Sequence, residues 1–133
     1  MMLDSPQLIS AGIILLSVIF IAWGGTFVLN SGSFNELQKR YFRAGHGHAG
    51  MLVTLGLLVM LIVGLADVPQ PFNALSTGVL WAAILMPAGF FLSVLGKDPV
   101  KPGRLIVLLW LGVASLVIGL AGAGVGLIIA GVA

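Results

Sequence analysis

Both histidines of the chain fall in one short stretch, Phe42-Arg43-Ala44-Gly45-His46-Gly47-His48-Ala49-Gly50, the one place where residue types and spacing suggest chemistry. An imidazole can ligate a metal or a haem iron, or carry a proton near neutral pH. The spacing restricts these options. Residues i and i+2 of a helix point about 200° apart, so His46 and His48 cannot chelate one ion while the segment is helical. Gly45, Gly47 and Gly50 weaken a helix here, and a non-helical segment would bring both rings to one side. Two nitrogens still fall short of the three or four ligands that zinc takes, and Glu36 and Asp98 are the only further ligands on this side. A b-type haem held by both rings would need a second chain, because one helix cannot offer His46 and His48 to opposite haem faces. Arg43, His46 and His48 are therefore candidate ligand or gating residues. The open readings are a proton-responsive gate or permeation entrance, a weak metal or haem site at His46 and His48, and a pair lying at headgroup level or bonded between helices.

The elements that must position these residues follow from composition. Of 133 residues, six are Lys or Arg, four are Asp or Glu, and 59% are hydrophobic. A charged fraction of 8%, against about 25% in a typical soluble domain, and a mean hydropathy of +1.18 leave too little polar surface to cover a soluble globule. Disorder is excluded by the same arithmetic. The absence of cysteine removes disulfides, thiolate metal sites and thiol catalysis.

Four apolar runs fit membrane spans, at about residues 6–29, 44–66, 74–95 and 104–131. The first, from Leu8 to Leu29, makes a helix of about 33 Å, enough for a hydrocarbon core of about 30 Å. Ser5 and Pro6 read as its cap and first residue. The leader lacks Lys and Arg, so the run reads as a retained span and not a cleaved signal. Pro69 and Pro71 end the second run, and Pro87 predicts a kink or a freed carbonyl near Ala83 in the third. The fourth, Leu105 to Ala133, is about 43 Å long as a helix. Either its end emerges from the membrane, or the glycine-rich stretch 119–126 breaks it. Short connections make successive spans antiparallel neighbours.

Between the first two spans, Phe34, Leu37 and Tyr41 recur at helical spacing against Glu36, Lys39, Arg40 and Arg43. Ser33 and Glu36 read as a capping box. This stretch is either a short interfacial helix or the amphipathic lead-in to span two. All six basic residues lie in loops 30–43 and 96–104, which the positive-inside rule places in the cytoplasm, with both termini outside.

Span four carries small residues at Gly112, Ser115, Gly119, Gly122 and Gly126, a seam suited to close helix packing. Ala114, Ala121, Gly124 and Gly131 mark a second small face, which leaves one for self-association. Thr26, Thr54, Thr77 and Ser93 can bond back to their own helices. No acid lies within a span, which argues against a carboxylate-driven transporter. Phosphate loops, paired catalytic carboxylates and a Ser–His–Asp set are missing, so the chain is expected not to be an enzyme and to need no cofactor. A net charge of +2 on short loops suits anionic headgroups rather than nucleic acid.

Tyr41 to Met51, together with Leu85-Met86-Pro87-Ala88-Gly89-Phe90-Phe91-Leu92, resembles a group of small bacterial four-helix membrane proteins that carry an Arg-Ala-Gly-His-x-His-Ala-Gly signature. The resemblance covers most of the chain. It implies a four-helix fold in a bacterial inner membrane, draws attention to Arg43, His46, His48 and Pro87, and assigns no role. The expectation is an all-α, four-transmembrane-helix antiparallel bundle with a short cytoplasmic interfacial helix. It would be a homo-oligomer or a subunit of a membrane complex, acting as a small channel, a transporter-like oligomer or an accessory subunit.

Overall fold

The computed structural model describes residues 3–30 and 32–133. Met1 and Met2 of the leader and Ser31 of the first loop lie outside the described residues. The chain is all-α: α1 (Ser5–Leu29), α2 (Glu36–Leu65), α3 (Phe72–Ser76), α4 (Gly78–Leu92), a 3-10 turn (Arg104–Ile106) and α5 (Val107–Val132). Four segments, Ser5–Leu29, Glu36–Leu65, Phe72–Leu92 and Arg104–Val132, are each long and apolar enough to cross a membrane. The third is the pair α3 and α4, joined at Thr77.

The helix starts differ from the expected ones. α1 is capped by Asp4, whose carboxylate accepts from the Gln7 backbone N–H at 2.8 Å while the Gln7 amide oxygen accepts from Asp4 N–H at 3.0 Å. Pro6 is then in the first turn and Ser5 is already helical. For α2 the capping box is Asn35 with Gln38, two residues beyond the Ser33–Glu36 pair. In both cases the reciprocal partner three residues on is a glutamine, whose amide oxygen accepts from the cap residue's N–H.

The separate interfacial helix is also corrected. α2 is continuous over 30 residues, about 45 Å, so the amphipathic stretch forms its first turns and projects about 15 Å past a core of about 30 Å. Its glycines do not interrupt it. Gly45 is buried against the rings of Phe91 and Phe90, so packing outweighs its poor propensity. α5 likewise runs unbroken through the glycine-rich stretch, which removes the break as one of the two alternatives for its length. α4 is continuous through the buried Pro87.

The helices pack in series, α1 on α2, α2 on α4, and α4 on α5, with α3 also against α5. Apolar clusters mark two of these contacts. Leu52, Ala82, Ala83 and Met86 pack with Leu109, Val113 and Leu116, and Val63, Val68 and Ala123 pack with Phe72 and Leu127. By contrast, α1 has no buried residue.

The small-residue seam of α5 is consumed inside the chain. A Cβ on Gly119 would stand 2.5 Å from Val79 N, and one on Gly78 would stand 2.5 Å from the Ser115 carbonyl. Gly112 lies on Met86, Gly122 on Leu75, and Gly126 on Val68 and Phe72. The Ser115 hydroxyl donates to the Gly78 carbonyl at 2.8 Å across the same contact. Gly124 and Gly131, on the second small face, have open space around them. Because the Gly119 obstacle is backbone, Gly119→Val should cost about 1–3 kcal/mol, whereas Gly12→Val, at an exposed α1 position with nothing within 4 Å, should change stability by less than about 0.5 kcal/mol. Reversible unfolding in mixed micelles measures both, and equal losses would contradict this packing.

Candidate functional site

The polar end of the molecule is assembled by two amide side chains at the start of α2. Gln38 is 3% exposed. Its Nε2 donates to the Val94 carbonyl at 3.0 Å and to the Gly96 carbonyl at 3.1 Å. Asn35 Nδ2 donates to Asp98 Oδ1 at 2.7 Å and to the Pro99 carbonyl at 2.9 Å. Asp98 has a left-handed backbone (φ 51°), which Asp tolerates better than most side chains. The loop after α4 therefore turns back onto α2, and both basic loops lie at one end of the bundle. Neither amide was singled out from the sequence. The local signal was the Asn-x-x-Gln capping pattern; the partners some 60 residues away carry none.

Below this latch is an aromatic cluster that sequence reading also missed. The Phe42 ring, 2% exposed, meets Phe27 of α1 at 5.6 Å, Phe34 of the first loop at 5.0 Å and Phe91 of α4 at 5.5 Å between centroids. One side chain thus joins three segments where the chain enters its apolar region. Rings spaced 4.5–7 Å apart add about 0.5–1.5 kcal/mol per pair beyond burial.

The two histidines stand on a continuous helix and diverge. His46 turns toward α1, where a Cβ on Gly25 would meet its Cε1 and Nε2 at 3.2 Å, so the missing side chain is what admits the ring. His48 turns toward α4. Its ring lies 5.0 Å from Phe90, and its Nδ1 is 2.8 Å from the Ala44 carbonyl, to which the Nδ1–H tautomer donates. Arg43 is exposed and, three residues before His46, lies on the same side of α2, near the end of α1. The structure thus brings the three candidates into two successive turns without converging them, and Pro87 and the α5 seam belong to the packing deeper in the bundle.

Three of the four carboxylates, those of Asp4, Glu36 and Asp98, have a partner, and Asp67 shapes a turn through its backbone. Asp4 caps α1. Glu36 accepts from Lys39 Nζ at 3.0 Å. Asp67 (φ 48°) forms the left-handed turn that ends α2, and Asp98 serves the latch. Among the described residues no three His, Asp or Glu side chains gather in a metal-holding group. The hydroxyls behave likewise: Thr26, Thr54, Thr77 and Ser93 each donate to a carbonyl of their own helix or turn, at 2.6, 2.9, 2.7 and 3.3 Å.

No protein-family model matches the chain, no curated protein matches it, and no solved structure matches its fold. The Arg-Ala-Gly-His-x-His-Ala-Gly signature brings no family with it. The class the structure defines is a polytopic membrane protein with four candidate spans.

Gln38→Leu leaves the Val94 and Gly96 carbonyls without their donor, and should cost about 1–3 kcal/mol. The same change at exposed Lys97 should cost less than about 0.5 kcal/mol. Thermal unfolding of the purified protein compares them, and a neutral Gln38→Leu would show that the latch contributes nothing.

Proposed function

We propose that the chain is a non-enzymatic subunit of a membrane assembly, formed with further copies or with another membrane protein, that presents its basic end as the contact face. The observation that supports this most is the divergence of His46 and His48 toward different helices, while the carboxylates of Asp4, Glu36 and Asp98 are taken up by a cap, an ion pair and the Asn35 amide. Within one chain this leaves no acid–base pair and no chelate. A helix pair locked by Gln38 and Asn35 is well suited to a rigid recognition end.

In this reading the chain lies in a bacterial inner membrane, with the basic end in the cytoplasm and both ends of the chain outside. Arg43 faces outward at the cytoplasmic boundary. His46 senses whatever displaces α1, and His48 holds α2 on Phe90. An oligomer would use the outward small face of α5 around Gly124, since the Gly112–Gly126 seam is filled by α3, α4 and the preceding turn.

Gentle solubilisation from native membranes followed by native mass spectrometry tests the proposal. The expected result is a defined complex heavier than the 13.8 kDa monomer, reduced at least several-fold in His46→Ala. A bare monomer under all mild conditions would overturn it. A stoichiometric Soret band lost in His46→Ala or His48→Ala would replace it with a haem protein assembled across chains.

A further inference from the structure

A crevice of about 520 Å³ opens between the end of α1 and the start of α2, lined by Val28, Leu29, Gly32, Glu36, Lys39 and Arg43. Its two walls differ in chemistry. On α2, Lys39 and Arg43 are four residues apart and so share a helix face. On α1, Leu29 is 86% exposed at the very end of an apolar helix. The turn between them is open, because nothing lies within 4 Å of where a Cβ on Gly32 would be.

The charges in the crevice are unequal. Lys39 Nζ already donates to Glu36 Oε1 at 3.0 Å, while Arg43 forms no ion pair among the described residues. Two cations against one carboxylate leave the crevice one positive charge in excess, which matches a phosphodiester monoanion. The guanidinium can take two phosphate oxygens at once, and the two ammonium N–H groups that Glu36 leaves free can take a third.

The apolar wall decides between a soluble phosphate and a lipid. A phosphate seated on Arg43 would have its ester carbons against Leu29. Below that level α1 has no buried residue, so an acyl chain can continue along it through the depth of the membrane. We propose that this crevice is a binding site for one anionic phospholipid, with its phosphodiester on Arg43 and Lys39 and its acyl chains along α1. The site stands whether or not the protein joins a larger assembly, since none of its walls comes from a second chain.

Native mass spectrometry of the purified full chain, titrated with phosphatidylglycerol or phosphatidylcholine, reads the site directly. The wild-type protein should retain one phosphatidylglycerol in preference to phosphatidylcholine. Each basic group near a membrane surface contributes roughly fivefold, so Lys39→Gln/Arg43→Gln should lower that preference about thirtyfold. Lys97→Gln/Lys101→Gln removes the same charge from the same end and should keep it. Glu36→Gln should raise retention several-fold, an outcome that simple unfolding cannot produce, and circular dichroism checks that each variant stays helical. Equal losses in the two double variants would overturn the site in favour of diffuse surface charge. Displacement of the lipid by excess inorganic phosphate, with no dependence on acyl chains, would overturn the lipid assignment.

Discussion

A helix end buried away from water must find partners for its free N–H and C=O groups inside the protein. In this chain the amide of Gln38 meets that demand for two elements at once. It closes the capping box of α2 through its oxygen and takes up the Val94 and Gly96 carbonyls after α4 through its nitrogen. Asn35 does the same with Asp98 and Pro99. The pair of amides ties the start of α2 to the segment after α4 at the polar end, and Phe42 stacks on Phe91 beneath it. Further along, the load passes to backbone contact between α4 and α5 at Gly78, Gly112 and Gly119, where packing stands in for the hydrophobic effect that lipid cannot supply.

The scarcity of charge has a structural counterpart. Asp4 caps α1, Glu36 binds Lys39 and Asp98 accepts from Asn35. The six bases lie in the first turns of α2, not in the loop expected there, and in the segment 97–104 that the amides tie to it. The bundle thus has one polar, ordered end and a nearly uncharged remainder. The histidine stretch lies where the two meet. Its glycines have different tasks: Gly45 lets Phe91 approach, while Gly47 and Gly50 face open space.

Much of this was legible in the sequence. Hydropathy and length gave the four spans, because a bilayer imposes both, and the opposed directions of His46 and His48 follow from helix geometry alone. The α5 seam was readable as packing because only small residues let backbones touch. Other features were hidden for physical reasons. The serial packing order followed from the short connections, whereas which face of each helix turns to its neighbour has no hydropathic signature, since lipid-facing and helix-facing positions are equally apolar. The Gln38 and Asn35 latch joins residues some 60 positions apart, and at the helix starts Asp4 with Gln7 and Asn35 with Gln38 form the boxes in place of the expected serine caps. The unbroken α5 reflects tertiary contact overriding glycine propensity.

The account rests on both basic loops sharing one face of the membrane, held by that latch. The chain has no cysteine, so single-cysteine variants at exposed Arg40, Lys97 and Gln70 give clean positions for a membrane-impermeant thiol reagent applied to oriented vesicles. Arg40→Cys and Lys97→Cys should both label from the cytoplasmic side only, and Gln70→Cys from the opposite side only. Labelling of the Arg40 and Lys97 positions from opposite sides would contradict the account.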